Sequence, residues 1–146
     1  MIKRVNHIAI VVADLDAALQ TYRDRLGLTL AKRLVMPEQE VEIAFLPAGE
    51  SMIELIRPLN ETSGVARYLA SRGEGLHHIC LEVDSIERTL EELAERSVRL
   101  INERPIRAAE GYGIFVHPKA VHGVLIEFLE PFAPPAPSER TMDDGQ

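Results

Sequence analysis

The sequence predicts an α+β fold of two similar, paired β-α-β-β-β modules. Three observations predict it: an internal repeat, a histidine at the start of the first strand of each half, and a glutamate inside the last strand of each half. The stretch HIAIVVADLDAALQTY from His7 lies over HICLEVDSIERTLEEL from His78, a shift of 71 residues. Both copies read His-Ile, then alternating apolar residues, a valine five after the histidine, a capping residue, and a helix with its apolar positions in step. Farther on, Ile53-Glu54-Leu55 lies over Ile126-Glu127-Phe128, a shift of 73. Each glutamate is followed four residues later by a proline, Pro58 and Pro131.

The elements follow in order. Residues 5–12, β-branched at Val5, Ile8, Ile10, Val11 and Val12, read as a strand. Asp14 caps a helix whose Leu15, Ala18, Leu19, Tyr22 and Leu26 recur at helical spacing, and Gly27 stops it. Strands are predicted over 28–35, 41–46 and 52–56, and a short helix over 63–71. The pattern then restarts: a strand over 76–83, a helix capped by Ser85 with Ile86, Leu90, Leu93 and Ala94 on one face, and strands over 98–101, 114–116 and 124–129. The expected organisation is one domain over 1–131, with module 1 at about 4–59, the linking helix at 63–71 and module 2 at about 75–131. Residues 132–146, rich in proline and charge, are expected to form a flexible tail or an arm packed on a partner.

Composition narrows the function classes. The net charge is −7, and no basic cluster tracks a phosphate backbone, so no nucleic-acid partner is expected. The apolar run in MIKRVNHIAIVV is too short to span a membrane and no cleavage-like site follows it, so the reading is no membrane partner and a cytoplasmic location. The single cysteine, Cys80, excludes an intramolecular disulfide and any CxxC motif, and its alternation with Ile79 and Leu81 reads as packing.

A pseudo-twofold relation between the halves brings two imidazoles and two carboxylates together. Each glutamate alternates away from its apolar neighbours, and a buried carboxylate without a partner is costly. One divalent cation balances both charges. His7, Glu54, His78 and Glu127 thus form a candidate N₂O₂ ligand set of borderline hardness, suited to Zn, Co, Ni, Mn or Fe(II). Four ligands on a six-coordinate ion leave two positions for a chelating substrate.

The stretches VNHIAIVVADLDAALQTYRDRLGL, Pro37-Glu38-Gln39, IELIRPL, GLHHICLEVDSI and HPK…GVLIEFLEP, running from Val5 to Pro131, resemble the vicinal oxygen chelate superfamily (glyoxalase, bleomycin resistance protein, dioxygenase) and within it the methylmalonyl-CoA epimerases. The resemblance implies the paired-module cup and one divalent metal (Co, Zn, Mn, Ni or Mg) on His7, Glu54, His78 and Glu127. His77 is out of register with His7, which favours His78 as the ligand. It also implies an acyl-CoA substrate, epimerisation through a metal-chelated enolate, and a homodimer. Glu127 is the first candidate base. Glu42 is the second, because some relatives carry an acidic residue at its place. The segment 108–113 departs from the Gly-rich basic turn of many relatives and is expected to border the substrate. His117, His122 and Lys119 read as solvated loop positions.

Other readings of the same site are a glyoxalase I-like or other metalloenzyme of the superfamily, or a non-catalytic small-molecule binder. A ring-cleaving dioxygenase wants two histidines and one carboxylate, so the second acid, Glu54, argues against it.

Overall fold

The computed structural model describes residues 1–133, so the expectation for the tail falls almost entirely outside the described residues. Eight strands form one mixed sheet: β1 (Ile2–Val11), β2 (Lys32–Met36), β3 (Val41–Ala48), β4 (Ser51–Pro58), β5 (Gly75–Val83), β6 (Ile106–Arg107), β7 (Gly111–Val116) and β8 (Ile126–Pro131). Their order across the sheet is β2-β3-β4-β1-β5-β8-β7-β6. The second four strands thus retrace the first four outward from a central seam. β1 and β5 meet there antiparallel, while β1 pairs with β4, and β5 with β8, in parallel. Ile8 faces Ile79 across the seam, and these two residues stand 71 apart, the shift of the repeat.

Three helices link the strands: α1 (Leu15–Leu19), α2 (Gly64–Arg72) and α3 (Ile86–Glu95). Their starts follow local chemistry. The side chains of Asp14, Ser63 and Ser85 accept the backbone N–H of Ala17, Ala66 and Arg88, satisfying donors that a helix start leaves unpaired. The first helix widens after Leu19 into a π-helical turn, Gln20–Arg25, which nothing in that stretch of sequence marks.

The convex face of the sheet carries two apolar cores, one under each main helix. Leu15 and Leu19 of α1 pack on Ala44, Leu46 and Leu55, while Ile86 and Leu93 of α3 pack on Ile114, Val116 and Phe128. Period-two alternation sends the intervening residues inward, so Ala9, Val41, Ile43, Phe45 and Ile56 line the concave face.

Two expected strands change. Over 28–35 the strand begins only at Lys32, because Leu28 and Leu30 are apolar for packing on the α1 core. Over 98–101 there is a single bridge, Leu100 to Val116, since Ser97 turns left-handed (φ 57) and the chain is tied back to α3 by Val98 N–H on Leu93 O. The two-residue β6 carries no sequence pattern of its own. Phe132, assigned by sequence to the tail, lies edge-on to Tyr112 at 5.2 Å and under the Arg107 guanidinium at 4.6 Å.

Candidate metal and catalytic centre

The sheet register places the site residues in two rows on the concave face. Glu54 stands opposite Phe45 on one side and Ala9 on the other, and Ala9 opposite His78. Across the seam, His7 stands opposite Cys80, Cys80 opposite Glu127, and Glu127 opposite Phe115. The rows are the repeat equivalents of each other, with Cys80 taking the place of Ala9.

Three donor atoms converge between the rows. His7 Nε2 lies 3.1 Å from His78 Nε2 and 3.4 Å from Glu127 Oε1, and His78 Nε2 lies 3.2 Å from that same oxygen. Ligand atoms held about 2.1 Å from one ion stand about 3.0 to 3.4 Å apart, so this spacing fits a shared cation. Glu54 enters from the other side of the His7 ring, with Oε2 3.0 Å from Nδ1. Among the described residues, that oxygen is the one buried side-chain acceptor without a completed hydrogen bond. All four residues are buried.

The electrostatics report the same need. Burial works against charge on His7, but the Cys80 thiol and the Glu127 and Glu54 carboxylates around it override that and hold its pKa well above the ordinary value. Burial also opposes ionisation of Glu127, yet contact with the His7 and His78 imidazoles keeps it below the usual carboxylate range. Without a cation the cluster retains a proton to offset two buried acids.

Sequence reasoning missed three neighbours. Cys80, fully buried, offers its sulfur within a group that includes His7 and Glu127, all donor atoms within 4.8 Å of one another. Burial pushes its thiol up to about 12, so it stands in the cluster as a neutral S–H. Its signal was the alternation that puts residue 80 on the face of residue 78. Asn6 and His77 each contact the following histidine, Asn6 Oδ1 at 2.7 Å from His7 Nδ1 and His77 Nδ1 at 2.8 Å from His78 Nδ1. Burial, with His78 beside it, brings His77 down to about 4, so it is neutral near pH 7.

Above the cluster lies a cavity of about 110 Å³ with apolar walls from Ile43, Ile56, Val65, Phe115 and Leu129. Ala108, Ala109 and Glu110 line it, which places the first half of the divergent segment 108–113 at the cavity. Gln39 donates to Arg107 O at 3.1 Å and ties that segment to the Pro37–Gln39 turn of the first half.

The structure does not bring Glu42 to this site. It alternates with Val41 and Ile43 onto the convex face, where its carboxylate accepts from Arg33 Nε at 3.0 Å and from Arg57 Nη2 at 3.2 Å. These guanidinium groups, Arg33 first, hold it below the ordinary carboxylate pKa, despite some opposing burial. Glu42→Gln is therefore expected to leave activity within about twofold of wild type, because a group on the far face exchanges no proton with the cavity. A loss of tenfold or more in kcat would return Glu42 to the mechanism. His117 accepts from Lys119 N–H in a surface turn and His122 adopts φ 62; neither lines the cavity.

Known proteins resemble the chain in sequence and in fold. Residues 6–117 match the Glyoxalase/Bleomycin resistance protein/Dioxygenase superfamily. The chain is 37% identical over 126 residues to the mitochondrial methylmalonyl-CoA epimerase of Homo sapiens, covering 85% of this chain and 72% of that protein. It is 38% identical over 130 residues to the ethylmalonyl-CoA/methylmalonyl-CoA epimerase of Cereibacter sphaeroides, covering 87% and 97%. A variant of the Streptomyces coelicolor methylmalonyl-CoA epimerase, solved with 2-nitronate-propionyl-CoA, superposes with a TM-score of 0.86 at 33% identity, covering 94% of this chain and all of that one. The chain belongs to the glyoxalase/bleomycin resistance protein/dioxygenase superfamily, in the company of its methylmalonyl-CoA epimerases.

Proposed function

We propose that the protein interconverts the R and S forms of a 2-substituted malonyl-CoA, methylmalonyl-CoA first among them, by removing and returning the proton at C2. The observation that carries this is the convergence of His7 Nε2, His78 Nε2 and Glu127 Oε1 beneath an apolar cavity, with Glu54 Oε2 against the Nδ1 edge of the same His7 ring. His7, Glu54, His78 and Glu127 would hold one divalent ion (Co, Zn, Mn, Ni or Mg). When bound, such an ion supplies positive charge that offsets the negative charge gathering on the thioester and carboxylate oxygens as the C2 proton leaves.

The chain's own residues do the rest. Glu127 takes the C2 proton and holds it at a carboxylate oxygen; its low pKa in the free protein reflects the imidazoles around it. Ile43, Ile56, Val65 and Leu129 exclude water from the reacting carbon and receive the 2-substituent. The cavity holds a compact acyl head, so the CoA tail leaves past residues 108–110. Inversion needs the proton returned from the opposite side. Glu42 faces away, so this falls to solvent or to another titratable group lining the cavity, such as Glu110.

The Cereibacter relative's name supports a second reading on the same chemistry, with an ethyl group as the 2-substituent. Homodimer formation and a cytoplasmic setting remain part of the proposal. No helix among the described residues is long and apolar enough to cross a membrane.

The test is deuterium uptake at C2 of methylmalonyl-CoA in D₂O by metal-loaded and EDTA-treated protein. Fast uptake that depends on the metal is expected. Uptake at the buffer rate with both methylmalonyl-CoA and ethylmalonyl-CoA would overturn the assignment.

A further inference from the structure

Along the central seam the strand register slips once near its end, between Ile2–Val83 and Arg4–Glu82, and twice around the candidate site. It steps by one between the pairs Val5–Leu81 and His7–Cys80, and again between Ala9–His78 and Ile10–Leu76. The extra residues are Asn6 and His77. They stand 71 apart, equivalent under the repeat, and each immediately precedes a candidate ligand.

Strict alternation would send the residue before each ligand to the convex face. A bulge bends the strand and re-aims that side chain. Here it turns Asn6 and His77 onto the imidazoles that follow them, in both cases at Nδ1. Asn6 Nδ2 donates to Glu82 Oε1 at 3.1 Å, which orients the amide so that its oxygen faces His7. The His77 ring rests edge-on against Tyr68 at 4.8 Å, and the Tyr68 hydroxyl donates to Leu76 O at 2.6 Å.

We infer that the two bulged residues, Asn6 and His77, are positioning residues that keep the proton of His7 and His78 on Nδ1, leaving both Nε2 lone pairs aimed into the cup for the metal. A neutral imidazole carries one N–H, and an acceptor fixed at one nitrogen decides which it is. The acceptors differ, an amide oxygen in one half and an imidazole nitrogen in the other, but they occupy equivalent places and engage the same atom. An acceptor at Nδ1 is therefore the common requirement, and residue type is not. Asn6 has a second effect. By taking the His7 Nδ1 proton it spares Glu54 Oε2, 3.0 Å from the same nitrogen, from holding that proton. The inference rests on the metal-holding reading above.

Two measurements test it. Long-range ¹H–¹⁵N NMR of the zinc-loaded protein reads which nitrogen of each histidine carries hydrogen; Nδ1–H with Nε2 on the metal is expected for both. Zinc affinity by chelator competition is then compared across variants of unchanged melting temperature. Asn6→Ala and His77→Ala are expected to bind zinc about 10- to 100-fold more weakly. His77→Asn, which moves the first half's acceptor into the second, is expected to stay within about threefold of wild type. Should His77→Ala not fold, the NMR of wild type and His77→Asn decides. Zinc bound with Nε2–H on either histidine, or equal affinity in the alanine variants, overturns the inference alone. Failure to bind zinc at all overturns it together with the metal-holding reading.

Discussion

Glu127→Gln is expected to slow C2 proton exchange by about 10² to 10⁴-fold, the usual range for losing a positioned general base. The substitution keeps the shape and removes the charge and basicity of a side chain that is 3% exposed. Its Oε1 is shared by the two imidazole Nε2 atoms, and its Oε2 lies so close over Gly113 that a Cβ there would stand 2.6 Å from it. The carboxylate is thus fixed in one place by contacts on both oxygens, and an amide in that place keeps the volume but accepts no proton. The same variant also weakens the metal, so the assay is run at saturating metal with occupancy measured. Exchange within threefold of wild type at full occupancy would remove Glu127 from proton transfer and leave it a ligand only.

The largest stability effect is expected at Phe45. Its ring is buried in the concave-face cluster with Val41, Ile43 and Ile56, and it stands opposite Glu54 in the β3–β4 ladder. Phe45→Ala removes a large apolar group from a place where the sheet backbone on three strands prevents collapse. The expected cost is about 3 to 5 kcal/mol, or a melting temperature lower by roughly 10 to 20 °C. Urea unfolding of the metal-free protein measures it without contribution from a bound ion. A cost under about 1 kcal/mol would mean that the β3 wall relaxes and that the cavity is softer than the packing implies.

The candidate site was largely legible in the sequence because the repeat set it out twice. A histidine in a strand or a glutamate in a strand says little alone; the same pair at shifts of 71 and 73 residues says that two copies face one another. Glu42 shows the limit. Its alternation with Val41 and Ile43 was visible, but which of the two faces is the cup depends on Phe45 pairing with Glu54, a cross-strand register that sequence does not contain. Asn6 and His77 were hidden for a related reason. Alternation assigns them to the convex face, and only the slip in seam register turns them to the candidate ligands. The short β6 and the π-helical turn have no periodic signal, since two residues and one wide turn are shorter than the windows in which a period can be seen.

The antiparallel meeting of β1 and β5 has a consequence for dynamics. Each half brings one histidine and one carboxylate, so any opening of that meeting parts the four donors two and two. With an ion in the proposed site, such an opening becomes less favourable by RT ln(1 + [M]/Kd), a thermodynamic link that needs no change of shape. Amide hydrogens along these two strands would then exchange more slowly in step with occupancy, while the outer strands β2 and β6 would follow their own local fluctuations. With the proposed ion, the pair of strands at the centre of the sheet would thus double as a gauge of how full the cup is, readable with no substrate present.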